Sequence, residues 1–393
     1  MPPDIGTKPI FAKTMTMHIE AKQNHGSSSS DAQPPRLEKP VRITEQLWPE
    51  GTVPVVSIWC ITYQHVNFIR DAIEGFLMQE TTFPVEILIH DDASTDGTAD
   101  IVREYQAKHP QLIRTVLQTE NQYSKGIKPR QFLDPLVRGE FIALCDGDDY
   151  WISPHKLQKQ VRILEQDPTV ALVFHNAWTK HEESRRDYFL NQGIDKSRFT
   201  LDEIVERDWF MATASIVFRR NPPLPPEITR YSMVGDMLIQ LAACRTGEAV
   251  YLDEVSSVYR RHEGGVSEEL WKGGDFHYEK FRPNNIWMYW LLRERVFSVS
   301  CHEAVERRIR NIVDKILGYA VLRKGMSRNH TLLRNYLFKV VCDNKPECVR
   351  EEAVRRDGSL WLIMESQFRA FWKKHRKRQI QNFVRKVTNA IER

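Results

Sequence analysis

The sequence predicts an α/β fold: a mixed, mostly parallel sheet with helices on both faces, followed by a mainly helical C-terminal region. Three observations carry this. From Val53 to Phe174, short apolar, β-branched runs alternate with stretches of helical spacing, the pattern of strand–helix–strand units. The second and fourth of these runs lead directly into acidic clusters, and in parallel sheets ligands bind beyond the carboxyl ends of strands. After Trp271, Glu303 to Lys324 and Phe368 to Ile391 read as helices, and the charge changes sign.

Val53 to Ile61 reads as a buried strand, because it is continuously apolar and rich in Val and Ile. Asn67 to Gln79 places Phe68, Ile69, Ala72, Ile73, Phe76 and Leu77 on one helical face. Val85 to Ile89 is the second strand. Gly97 to Lys108 is the second helix, with Ser94 and Asp96 as capping candidates. Leu112 to Leu117 is the third strand. Phe132 to Val137 is helical, Glu140 to Cys145 is the fourth strand, Pro154 to Gln166 a helix and Val170 to Phe174 a further strand. Residues 1–45 read as a disordered segment, since HGSSSSDAQPP cannot bury enough apolar surface to offset its ordering entropy. Residues 46–270 then form the α/β domain and 271–393 a helical, basic region.

The 393 residues carry a net charge of only +4. From Trp271 onward, however, 27 basic residues face 13 acidic ones, a surplus of 14 positive charges, and the remainder carries a surplus of 10 negative charges. This division suggests chemistry in the first part and attachment to something anionic in the second. None of the six cysteines forms a CxxC pair, so reduced, buried thiols are expected. No stretch reads as a signal peptide or a bilayer span; Ile286 to Leu292 is apolar but is closed by Arg293, Glu294 and Arg295. The expectation is a cytoplasmic location, with peripheral contact at the inner face of a membrane as an added option.

The two acidic clusters are HDDASTDGT (His90 to Thr98) and CDGDDYW (Cys145 to Trp151). Crowded carboxylates repel unless a cation lies among them. Asp146 and Asp148, one residue apart, suit a divalent cation such as Mn²⁺ or Mg²⁺ that also binds substrate phosphates. A turn before the next helix is the alternative for DGDD. Further on, Asp236 opens a helix bearing Met237, Leu238, Leu241 and Ala242. YRRHEGGVS (Tyr259 to Ser267) is a basic loop with glycine hinges.

Taken together, TYQ (Thr62 to Gln64), DDASTDGT, DGDD with Tyr150 and Trp151, Gly235-Asp236 and YRRHEGGVS resemble the family 2 glycosyltransferases of GT-A fold. The likeness extends from about Val53 to Ser267. It implies transfer of one sugar from a nucleotide-diphospho-sugar to an acceptor hydroxyl, by one displacement that inverts the anomeric centre. By the same resemblance Thr62, Tyr63, Asp91 and Asp92 belong to the nucleotide site. Asp146 and Asp148 are its acidic pair: Asp146 near ribose or a metal-bound water, Asp148 on the metal. His262 is a further metal ligand, or Arg260 and Arg261 a phosphate clamp. Asp236 is the general base, with a plain helix cap as its alternative. Lys125, Lys128 and Arg130 lie shortly before the fourth strand, where they could face the donor phosphates, with a charged surface loop as the alternative. Gln64 departs from the usual TYN.

The implied acceptor is a glycan or a lipid-linked glycan intermediate. Phe368 to Ile391 reads as a basic amphipathic helix, suited either to an anionic membrane surface or to packing on the core. No nucleic-acid motif accompanies the charge. A nucleotidyltransferase would need a Gly-rich basic loop after the first strand, where TYQHVNF stands. A catalytically silent sugar-nucleotide-binding protein would be expected to have lost an acidic position, and all are present. Release of free nucleoside diphosphate separates both rivals from the main reading.

Overall fold

A computed structural model describes residues 35–182, 187–220, 224–229, 232–233, 235–265, 268, 274–324, 326, 330–344 and 359–391; side chains at 226–227, 359, 379–380 and 382–391 are outside the description. Most of the expected disordered segment, and the Val266-Ser267 end of the basic loop, therefore lie outside the described residues. The end of that segment is ordered, which corrects its boundary at 45. Leu37 donates its N–H to the Thr82 carbonyl (2.7 Å), and Ile43 is fully buried. One buried isoleucine is too little for a periodic signal.

The strands, in chain order, are β1 (Val41–Arg42), β2 (Val56–Thr62), β3 (Glu80–Thr81), β4 (Val85–Asp91), β5 (Ile113–Leu117), β6 (Phe141–Leu144), β7 (Tyr150–Trp151), β8 (Val170–His181), β9 (Tyr188–Phe189), β10 (Arg198–Phe199), β11 (Val217–Arg219) and β12 (Glu248–Arg261). The helices of the same region are α1 (Ile69–Leu77), α2 (Thr98–Lys108), α3 (Arg130–Leu133), α4 (Lys156–Gln166), α5 (Leu201–Glu206), α6 (Pro226–Thr229) and α7 (Gly235–Ala243). Among the described residues four further α-helices follow, at Arg282–Arg295, His302–Arg323, His330–Cys342 and Ser359–Ile391.

β1 and β3 form a small separate ribbon, and among the described residues the other ten strands make one sheet in the order β10-β12-β8-β11-β6-β2-β4-β5, with β7 and β9 attached at its side. Pairing of β6, β2, β4 and β5 is parallel. β11 runs antiparallel to both β6 and β8. Since β8 and β12 are parallel to each other, β2, β4, β6, β8 and β12 all end at one edge. The mixed, mostly parallel sheet expected from the sequence is thus present. The three-residue β11, which reverses direction between two longer strands, and the bulged β12 carry too weak an alternation to be read from the sequence.

Alternate residues of each strand feed two cores. Ile58, Cys60, Ile87, Ile89, Ala143 and Val173 pack under α1, α2 and α4, through Ile69, Ile73, Phe76, Val102, Leu157 and Val161. On the other face Trp59, Leu88, Ile142, Leu144, Leu172 and Phe174 join α5 and α7 in a second cluster. That cluster continues into the C-terminal helices through Ile286, Trp287, Leu291, Ile309, Ile312, Ile316, Leu337, Leu360 and Phe368. Each such buried aliphatic or aromatic side chain contributes roughly 1.5–3 kcal/mol. The apolar run Ile286 to Leu292 is accordingly a buried helix. The last helix packs on the core at Leu360, Ile363, Met364 and Phe368, while Lys373, Lys374, Arg376, Lys377 and Arg378 are exposed.

Candidate active site

The shared strand edge is assembled by two loops bonded to each other. After β2 the chain turns sharply, with Gln64 at φ +57°. Asn tolerates that region best, but Gln64 is fastened instead by its side chain: Nε2 donates to Thr95 Oγ1 (3.0 Å), and Oε1 accepts the Thr95 N–H (3.0 Å). Its own N–H donates to Ser94 Oγ (2.9 Å). His65 N–H donates to Thr98 Oγ1 (2.9 Å) and Val66 N–H to Asp96 Oδ2 (3.0 Å). The polar residues of DDASTDGT therefore hold the 62–66 turn in place.

Asp91 closes its own loop, accepting from the N–H of Ser94 (2.9 Å) and the Ser94 hydroxyl (2.6 Å). Asp92 accepts the N–H groups of Gln122 (2.8 Å) and Tyr123 (3.0 Å), so it fixes the loop that precedes α3. Thr62 is fully buried; its carbonyl accepts the Asp92 N–H (3.0 Å). Tyr63 is exposed, open to a flat ligand. Lys125 is paired with Glu120, and the Lys128 ammonium lies 4.8 Å from the Tyr123 ring centre. Arg130 bonds Asp134 (3.0 Å) and lies over Trp59. Loop cations thus stand near the edge, each with a partner inside the protein.

The DGDD turn needs its glycine. A Cβ on Gly147 would meet Thr62 Oγ1 at 2.6 Å, Thr62 Cβ at 2.7 Å and His65 Nδ1 at 3.0 Å. The turn is pinned from the other side by Asp149, which accepts the Arg260 N–H (2.8 Å), and by β7, which pairs with β12. Trp151 Nε1 donates to the Ala214 carbonyl (2.9 Å). Arg260 is buried, donates to the Asp148 carbonyl (3.1 Å) and to Glu182, pairs with Asp71 and stacks on Tyr150. It is a strut of the turn, so the phosphate-clamp option does not hold for Arg260. Arg261 pairs with Glu268 at 2.7 Å.

His262 and Asp148 are brought together: Nε2 lies 3.1 Å from Oδ2. His65 joins them, with Nε2 3.8 Å from the same oxygen. One ligand atom from each of the three lies within 4.8 Å of the others, a candidate metal centre among the described residues. Asp146 stands outside this trio. Burial works against the charged Asp148 carboxylate, but the His262 hydrogen bond and the neighbouring His65 outweigh it and hold its pKa low. Burial, together with Asp148 and Asp236, pushes Asp146 well above the usual carboxylate range. His65 escaped the sequence reading because it lies one residue past TYQ. A histidine after a strand carries no signal until its partners converge.

Asp236 sits in the first turn of α7. Its Oδ2 accepts the Trp209 indole N–H (2.7 Å) and the Thr213 hydroxyl (3.4 Å), and its Oδ1 accepts the Met237 N–H (2.7 Å). Burial raises its pKa, against the pull of those donors. Trp209 and Thr213 are neighbours that sequence reasoning missed. Both come from the irregular segment between α5 and β11. The charge of Asp236 is among the causes that raise Asp146, after burial and Asp148.

Residues 57–222 match the family model described as glycosyl transferase family 2. Over those residues the chain is similar to the family 2 glycosyltransferases, and its fold is GT-A. It is 38% identical over 213 residues to an uncharacterized protein of Mycobacterium tuberculosis, a match covering 54% of this chain and 60% of the relative. It thus spans about 60% of the length of that curated relative. Over 114 residues it is 32% identical to the UDP-Glc:alpha-D-GlcNAc-diphosphoundecaprenol beta-1,3-glucosyltransferase WfaP of Escherichia coli, covering 29% of this chain and 42% of WfaP. The crystal structure of S. aureus TarS 1–349 in complex with UDP-GlcNAc superposes with a TM-score of 0.52 at 16% identity, over 82% of this chain and 91% of that one. This last likeness is one of fold.

Proposed function

We propose that this protein transfers a sugar from a nucleotide-diphospho-sugar, UDP-linked as in the TarS complex and the WfaP name, to a hydroxyl of a growing glycan, inverting the anomeric centre. The observation that carries this reading is the grouping of Asp148, His262 and His65 at the strand edge, with Asp236 close enough to act electrostatically on the adjoining Asp146. A donor presents two phosphates and a leaving group there, and an acceptor presents one proton to be taken. Asp236 is suited to take it: its carboxylate is rigidly oriented, and its raised pKa brings it nearer to that of an effective base. Tyr63 is exposed for stacking on a nucleobase, and Asp91 and Asp92 shape the loops around it.

Asp148, His262 and His65 would hold a divalent cation, with Asp146 beside it. Two imidazoles and a carboxylate suit a transition ion such as Mn²⁺ better than Mg²⁺, which prefers an octahedron of oxygens. Bound there, the ion would offset charge on the departing nucleoside diphosphate. The likeness to WfaP, whose name specifies a diphosphoundecaprenol-linked acceptor, supports a lipid-linked glycan as acceptor and an anionic bilayer as the second surface. From Arg369 to Ile391 the last helix holds eight basic and no acidic residues, the charge such a surface attracts.

The test is release of free nucleoside diphosphate from a panel of nucleotide sugars with Mn²⁺ and a glycan acceptor. Asp148→Asn and excess chelator should each remove most turnover. Asp236→Asn should keep donor binding and lower kcat by roughly 10²–10⁴-fold. Full turnover in chelator defeats the metal assignment, and an unchanged kcat in Asp236→Asn makes that residue a helix cap.

A further inference from the structure

The side chain bonded to Asp236 borders the oxygens to which an acceptor hydroxyl would give its proton. Trp209 is half-buried, and its indole N–H lies 2.7 Å from Asp236 Oδ2. Its ring stands beside that of Tyr259 on β12, with centres 5.3 Å apart and planes at 52°. Tyr259 is likewise half-buried, three residues ahead of His262. Two aromatic rings in contact with each other, one of them bonded to a carboxylate, form a surface that is apolar on its face and polar at its rim. That combination matches a pyranose, which has an apolar C–H face and a hydroxyl rim.

Distance makes the match specific. A hydroxyl that gives its proton to Asp236 must come within roughly 2.6–3.2 Å of a carboxylate oxygen. Oδ2 already carries Trp209 and Thr213, and Oδ1 carries the Met237 N–H. An incoming hydroxyl therefore uses a remaining lone pair of an oxygen pair bordered by the indole. Such an approach would bring the ring bearing that hydroxyl beside Trp209.

We propose that Trp209 is a positioning residue for Asp236 through its N–H and, with Tyr259, the platform on which a sugar ring of the acceptor stacks. The acceptor hydroxyl is then on a pyranose of an existing glycan, and not on a bare lipid phosphate or a protein side chain. This rests on Asp236 being the base, and it adds a division of labour within one residue: the N–H governs kcat and the ring governs acceptor affinity.

The experiment measures donor KM, acceptor KM and kcat for Trp209→Phe, Trp209→Leu and Tyr259→Leu, with an oligosaccharide acceptor that wild type uses. Trp209→Phe keeps a ring and loses the donor. Its kcat should fall about tenfold or more with acceptor KM within about twofold of wild type. Trp209→Leu should show the same fall in kcat together with an acceptor KM raised about tenfold or more, at unchanged donor KM. Tyr259→Leu should raise acceptor KM and leave kcat near wild type, which keeps the platform testable if Trp209→Leu fails to fold. The proposal is overturned if Trp209→Phe turns over like wild type, or if the leucine variants weaken donor and acceptor alike. If Asp236→Asn itself retains full kcat, the base assignment fails, an outcome read from a different variant.

Discussion

Single residues in this protein behave as their surroundings dictate. Lys156 is the clearest case. Lysine type alone argues for the surface, yet its side chain is buried, with Nζ 2.8 Å from Gln160 Oε1 and 4.2 Å from the Trp151 ring centre. Burial brings its pKa down to about 7. An unfolded lysine titrates near 10.4. Between those values the unfolded chain binds the extra proton, so stability rises with pH through that window; below about 7 the native state carries the buried charge in full. Lys156→Met removes the titration. Denaturant midpoints at pH 6 and pH 9 should show wild type gaining on the variant as pH rises, by an amount on the order of a few kcal/mol. Parallel behaviour at both pH values would mean the amine stays charged in the fold. His65 teaches the same lesson at the site: its role comes from Asp148 and His262, which are distant in sequence.

At the scale of elements, close approach decides what a glycine is for. Gly75 lies inside α1, where alanine would ordinarily stabilise by about 0.5–1 kcal/mol. Here a Cβ would stand 2.9 Å from the Trp151 nitrogen and 3.0 Å from its carbonyl oxygen. Those are backbone atoms of β7, the continuation of the DGDD turn, and they cannot swing aside. Gly75→Ala should therefore destabilise by about 1–3 kcal/mol and also weaken donor binding, because α1 pushes the turn that holds Asp148. Thermal melts and donor titrations check both; a melting temperature at or above wild type would show that α1 and β7 separate freely. β2, β4 and β6 were legible as mostly apolar runs, and α2 was marked by capping candidates before it. β11 and β12 were not: one is three residues long, and the other shifts register at Leu252/Val255 and Val255/Ser257.

For the whole molecule, the C-terminal helices that are described extend the core on the second face of the sheet, and the last of them carries exposed basic side chains. These two properties separate experimentally. Ending the chain before Ser359 would uncover the cluster that Leu360, Met364 and Phe368 close, each side chain at a cost of roughly 1.5–3 kcal/mol. Such a truncation should aggregate or melt far below wild type. Replacing Lys373, Lys374, Arg376, Lys377 and Arg378 by Gln touches only exposed side chains. That variant should keep the melting temperature and turnover on a soluble acceptor. It should lose co-sedimentation with anionic vesicles, which wild type shows at low salt and loses at high salt. Equal sedimentation of both proteins would remove the membrane from the account. Among the described residues no helix is long and apolar enough to cross a membrane.

The sequence by itself determined the alternation of strands and helices, the acidic turns at strand ends, the family likeness and the basic tail. Each of these is local: periodicity, turn chemistry and charge are properties of neighbouring residues. The tertiary structure alone decided which groups meet. It brought His65 to Asp148 and His262, set Trp209 against Asp236, turned Arg260 into a strut for the DGDD turn and buried Lys156 beside Trp151. Those contacts join residues separated by between 5 and 197 positions. Most of them depend on strand order and on the packing of two sheet faces, which no local pattern encodes.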